Sequence, residues 1–196
     1  MSSRILFALC SLLFPLCALA QEGGYLERLA ATMRALEPYE ATFVMEGEGL
    51  SVAGSYAVEG SRYRITLPEA AVWGEEGLRY EVDHRRRTIT LMPVDTTSRN
   101  LLDNPSRAFD FVAADYQMEP VKVLDQEVQL RLSTEADPLT TIYLTLDRST
   151  ARPRAVRYEI DGIGVDLRLT ALQPATNPLP KFAPGDYAEY EVVDFR

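Results

Sequence analysis

At Pro38 the hydrophobic period of this chain drops from about 3.6 residues to about 2, and it stays low for most of the remaining length. Upstream, Leu26, Leu29, Ala30, Met33 and Leu36 recur at helical spacing and draw one apolar stripe, with Glu27, Arg28 and Arg34 on the other faces. This spacing predicts a helix over 25–37 that Pro38 stops. Downstream, short runs alternate apolar with polar residues: Phe43 and Met45; Tyr63, Ile65 and Leu67; Leu78, Tyr80 and Val82; Ile89 and Leu91. The pattern continues with Val128, Leu130 and Leu132; Ile142, Leu144 and Leu146; Val156, Tyr158 and Ile160; Val165, Leu167 and Leu169. Turn-forming residues bound the runs, as at Glu59-Gly60, Asp83-His84-Arg85, Ala136-Asp137-Pro138 and Asp161-Gly162. The expected fold is mainly β (α+β), one large curved antiparallel sheet with a polar outer face and an apolar inner face.

Two stretches interrupt the alternation. Residues 100–112 carry Leu101, Leu102, Phe109 and Phe111, with Pro105 suited to the first turn of a short helix. Those residues read either as a patch of core or as a movable lid. Residues 173–186 contain Pro174, Pro178, Pro180 and Pro184, so an extended connection is expected before a last strand at 187–195. A sheet this long must close, split or be covered, and a cavity on its concave side, plugged by the helices, is the expected result.

The first twenty residues read as a secretory signal and stand outside the fold argument. Arg4 supplies the positive end, the stretch from Ile5 to Leu16 is apolar, and Ala18-Leu19-Ala20 suits cleavage after Ala20. Both cysteines, Cys10 and Cys17, fall inside this segment, each preceded by a leucine where a lipid-attachment motif wants a small residue. Residues 21–196 are then expected to form a single domain without disulfides, held by its core alone. The formal net charge is −9, and losing Arg4 makes the chain one unit more acidic. Such a chain repels phosphate backbones and anionic headgroups, so nucleic-acid binding is not expected.

Candidate catalytic groups are few. His84, the single histidine, sits in an expected hairpin turn beside Arg85, Arg86 and Arg87, and reads as a solvated turn residue rather than a general base. The arginine run itself suits either a soluble hairpin tip or a contact with an acidic partner or headgroup. Glu75-Glu76 and Asp110 with Asp115 form carboxylate pairs, but carboxylates are plentiful in this chain. Gly47-Glu48-Gly49 and Gly162-Ile163-Gly164 lack the strand-to-helix setting of a dinucleotide loop. No enzyme activity, cofactor or metal is expected.

The order of motifs resembles the LolA-like outer-membrane lipoprotein carriers, particularly the divergent forms of Bacteroidetes. Met33-Arg34-Ala35-Leu36 ends the helix and Tyr39-Glu40-Ala41-Thr42-Phe43 is similar to the family's "y-x-a-x-F" first strand. Gly54-Ser55-Tyr56-Ala57-Val58 and Arg62-Tyr63-Arg64-Ile65 look like its next two strands. Glu76-Gly77-Leu78-Arg79-Tyr80-Glu81-Val82 stands where many members have "d-G-k-t-l-W-x-Y", here without the tryptophan. Asn104-Pro105-Ser106 lies where the family inserts its short helix, and Glu191-Val192-Val193-Asp194-Phe195-Arg196 is similar to a common ending.

The resemblance implies an unclosed half-barrel covered by the N-terminal helix and a short helical lid. It implies a monomeric periplasmic carrier that takes lipoprotein or lipid cargo from an inner-membrane transporter to an outer-membrane acceptor. The alternative is an envelope sensor or scaffold of the same fold that binds a protein partner without carrying lipid. In the carrier reading Leu26, Leu29, Met33 and Leu36 belong to the plug, and Phe109 and Phe111 to the lid. Phe43, Met45, Tyr63, Ile65, Tyr80 and Leu91 are the expected acyl-chain lining.

Overall fold

The computed structural model describes residues 24–114 and 116–196. The expected signal segment with Cys10 and Cys17, and the carboxylate of Asp115, lie outside the described residues. Helix α1 (Gly24–Leu36) forms where the apolar stripe predicts it, with Leu26, Leu29, Met33 and Leu36 buried on one side. Strands β1 (Tyr39–Gly47), β2 (Leu50–Glu59), β3 (Arg62–Thr66), β4 (Ala70–Glu75), β5 (Leu78–Asp83) and β6 (Thr88–Pro93) come next as a meander. A looped crossing then leads to β7 (Gln117–Val123), β8 (Glu127–Thr134), β9 (Asp137–Asp147), β10 (Pro153–Ile160) and β11 (Ile163–Pro174). The chain ends with β12 (Glu191–Asp194).

All twelve strands belong to one sheet of order β12-β6-β5-β4-β3-β2-β1-β11-β10-β9-β8-β7. The two meanders join where β1 pairs with β11, and β7 and β12 remain as edges, so the sheet curves without closing. Tight turns set its register. Glu76 and Gly77 both have positive φ (53° and 79°), as do Asp161 and Gly162 (50° and 81°), the backbone that a two-residue hairpin turn requires.

Three expectations are corrected. The sheet is not wholly antiparallel, because β12 runs parallel to β6. The segment after Asn100 is not a helix but a chain of turns, ending in one 3-10 turn at Val112–Ala114. Asn100 and Asn104 explain this: the Asn100 side chain accepts from the Leu102 amide, and that of Asn104 donates to the Asp95 carbonyl. Such local bonds compete with helical ones.

Tyr80 and Leu91, expected in the acyl-chain lining, do not line the concave side. Val72 faces Ile65 across β3 and β4, so Trp73 points the other way; Tyr80 lies opposite Trp73, and Leu91 opposite Tyr80. These three occupy the convex face. There the proline-rich connection crosses back, and Phe182 packs on Trp73 and stacks on Tyr80 at 4.2 Å between ring centres. Arg62 donates to the Leu179 carbonyl and Glu59 accepts from the Leu179 amide, which fixes the start of that strap.

Helix α1 is docked on the concave side by the turn between β9 and β10. Arg28 donates to the carbonyls of Arg148 and Ser149, and Thr32 to that of Thr150. Asp147 shapes this turn by accepting from the Ser149 hydroxyl, from the Thr150 amide and from Arg154, which hold its carboxyl well below the usual carboxylate range. A lowered pKa in the folded state means that the stabilisation is complete above the unfolded value of ~4 and drains away as pH falls below it. The carboxyl 13C shift of Asp147 is therefore expected to remain that of the ionised form at about pH 3. A midpoint near 4 would show that the turn does not hold.

Candidate functional site

The concave face is apolar across most of its width. Phe43, Tyr56, Tyr63 and Ile65 on one half and Leu130, Ile142, Leu144 and Val156 on the other are each at most 2% exposed, in one continuous cluster. A Cβ on Gly74 would overlap the Tyr63 ring, and one on Gly54 the Phe43 ring. The two glycines thus let the aromatic rings lie flat on neighbouring strands and keep the floor deep.

A cover fills this floor. Its first part is the stripe of α1; its second is the loop between β6 and β7, which inserts Leu101 (0% exposed), Phe109 and Phe111. The structure therefore brings the expected plug residues Leu26, Leu29, Met33 and Leu36, the lid residues Phe109 and Phe111, and the floor residues Phe43, Tyr63 and Ile65 into one cluster. Met45 is half-buried at its margin. The concave side is occupied by the protein's own side chains.

The second part of the cover is held without strand pairing. Four strands present side chains to its backbone carbonyls: Tyr39 of β1 to Pro105 at 3.5 Å, Tyr63 of β3 to Asp103 at 2.9 Å, and Tyr158 of β10 to Arg99 at 3.2 Å. The fourth is Arg79 of β5, which donates to Leu102 at 3.1 Å and also to Asp103. Tyr158 also accepts from the Leu101 amide at 2.9 Å. Within the loop, Arg99 folds back onto the carbonyls of Asp110 and Thr97.

Arg79 is 9% exposed, and Glu81 balances its charge at 2.7 Å while keeping 41% of its own side chain in solvent. Burial alone would lower its pKa, but the hydrogen bonds with Tyr63 and Glu81 outweigh that and move it upward. The guanidinium is thus a permanently charged donor aimed at neutral carbonyls. A hollow of about 390 Å³ beside it is lined by the apolar Ile65, Leu67, Val72 and Leu102 and by the charged Glu81 and Asp83. Arg79 is inconspicuous in the sequence because it alternates with apolar residues like any solvent-facing position. The Glu76-Gly77 turn is the available signal: it places Leu78 opposite Glu75 and turns Arg79 inward.

The other candidates are scattered. His84 is exposed at the β5–β6 turn, 3.2 Å from the Tyr190 hydroxyl. Arg85, Arg86 and Arg87 pair with Glu69, Asp83 and Glu189, and Glu75 and Asp110 face Arg62 and Arg107. Among the described residues, no group of three His, Cys, Asp or Glu is placed to hold a metal.

No family model matches this sequence, and no curated protein does. Among solved structures, the chain is similar to an uncharacterized conserved protein from Thermus thermophilus, with 11% identity over 89% of this chain and 99% of that one, at a TM-score of 0.56. At that identity the likeness is one of fold. A LolA superfamily protein from Nitrosomonas europaea matches at 10% identity over 80% of this chain and 94% of that one, with a TM-score of 0.43. A chain of the Pseudomonas aeruginosa MucA/MucB complex matches at 18% identity and a TM-score of 0.44, over 88% of this chain and 63% of that one. These last two are too distant to carry a function across.

Proposed function

We propose that this protein is a periplasmic carrier that shelters the acyl chains of a lipoprotein, or of another lipid, on the concave face of its sheet and passes them from the inner to the outer membrane. The observation that carries this reading is the construction of the cover. An apolar floor spanning two meanders is sealed by a loop whose backbone is tied to it by side chains alone, so the loop can lift without unpairing any strand. Acyl chains would replace Leu101, Phe109 and Phe111 on the floor, each buried CH₂ contributing about 0.8 kcal/mol. Transfer then needs only a gradient of affinity, with no nucleotide and no reacting group. The order of motifs shared with the LolA-like carriers supports the same assignment.

A second reading has one observation in its favour: the concave face is filled by the protein's own residues, as in a domain that binds a protein partner and no lipid. Mass spectrometry of an organic extract separates the two, using mature protein purified from its native periplasm without detergent. An acylated peptide or another acyl lipid in stoichiometric amount is expected. No hydrophobic cargo, even after incubation with a triacylated lipopeptide, would move the assignment to partner binding.

A further inference from the structure

Beneath the loop, the floor carries four tyrosines whose rings belong to the apolar cluster. Three of them, Tyr39, Tyr63 and Tyr158, donate to loop carbonyls. The fourth, Tyr56, is 2% exposed, and its hydroxyl has no hydrogen-bond partner. It lies on β2 between Ala41 and Ile65 of the neighbouring strands, with the Tyr39 and Phe43 rings 6.1 and 6.2 Å away between centres. A hydroxyl sealed in an apolar floor without a partner destabilises the closed protein, and phenylalanine would fill the same space without that penalty. Packing therefore gives no reason for a tyrosine here.

The geometry points to a polar subsite on the acyl floor, in which Tyr56, joined by Tyr39 and Tyr158 once the loop has lifted, donates hydrogen bonds to the ester or amide carbonyl at the root of an acyl chain. This inference rests on the carrier reading and narrows its cargo to lipids whose chains are linked through a carbonyl. Lifting the loop removes the carbonyl partners of Tyr39 and Tyr158 as well, so an open floor holds at least three hydroxyls in need of an acceptor. A bare hydrocarbon chain would leave them unpaired, whereas carbonyl oxygens would take the place of those of Arg99 and Pro105. A free carboxylate is a poorer match, because burying its charge in this floor is costly, and burial, with the Glu37 charge added, already raises the Tyr39 pKa. Burial, aided by Tyr39 and Tyr158, also pushes the Tyr56 hydroxyl well above its ordinary range, so it remains a donor at every physiological pH.

The test compares two neutral lipids of equal chain length, a 1,2-diacylglycerol and its dialkyl ether counterpart, titrated against the mature chain. The wild type is expected to bind the ester about tenfold more tightly. Tyr56→Phe should bring that ratio towards one while raising the Tm of the empty protein by roughly 2–4 °C, because it deletes an unpaired buried hydroxyl. Equal affinities for ester and ether in the wild type would overturn the subsite and leave the carrier intact, and this comparison needs no variant. A preference that survives in Tyr56→Phe would likewise overturn the role of Tyr56. Binding of neither lipid would remove the carrier reading, and the subsite with it.

Discussion

Leu101→Ala is expected to make the empty protein less stable and yet bind acyl chains more tightly. Leu101 is fully buried in the cover, and truncating a leucine in such a place typically costs about 2–5 kcal/mol through lost burial and the cavity left behind. In a carrier that cost falls on the closed state alone, because in the loaded state the loop has left the floor and Leu101 no longer packs there. The difference between the two states emerges as affinity. Even about 1.4 kcal/mol of it would lower Kd tenfold. Leu144→Ala supplies the opposite sign, since Leu144 is floor and would face either the cover or the cargo. It should lose stability by a similar amount and weaken binding as well. Calorimetric Tm and titration with a fluorescent acyl chain read both quantities on each variant. If Leu101→Ala loses stability and shows no gain in affinity, the loop does not compete with a ligand, and the face is a core.

That opposition is invisible in the sequence, because strand alternation shows that a strand has an apolar face without saying which way it points. Phe43, Tyr63 and Ile65 share one face of their strands as their alternation predicts, and that face is the concave one; the helix stripe is legible from its spacing alone. Tyr80 and Leu91 depart from the same prediction because apolar does not mean inward on their strands. In this chain the strap around Phe182 gives the convex face of β4 to β6 an apolar cover of its own. The same double burial hides β4, whose Ala71, Val72 and Trp73 are all buried and so show no alternation. The four prolines of the strap are legible as an extended connection, but the surface it covers depends on pairing between distant strands. The loop's anchorage is the least legible part, since carbonyl groups carry no signature in a sequence. Its donors are recognisable only once Tyr39, Tyr63, Arg79 and Tyr158, from four separate strands, are seen to converge on one segment.

Of those donors Arg79 has the most to lose, and Arg79→Leu is expected to release the loop while leaving the sheet folded. The substitution removes its donations to Leu102 and Asp103, and hydrogen bonds from a charged donor are worth about 1.5–3 kcal/mol each. Glu81 would be left without a partner, but with 41% of its side chain exposed it keeps its solvation, so the penalty does not spread into the core. Tyr63 retains its bond to the Asp103 carbonyl, which limits the damage to a change in the opening equilibrium rather than loss of the loop's structure. The Leu101 amide donates to Tyr158 on the floor and reports on that equilibrium, whereas those of Leu102, Asp103 and Asn104 donate to Asn100 and travel with the loop. Roughly 3 kcal/mol of lost closure should speed hydrogen exchange at Leu101 about a hundredfold, with the amides of β1, β2 and β9 unchanged. Acyl-chain affinity should rise with the open population, as in Leu101→Ala, because both changes act on the same closed state. Uniformly faster exchange across the strands would mean that Arg79 supports the whole fold. Unchanged exchange in the loop would mean that the tyrosines hold it alone.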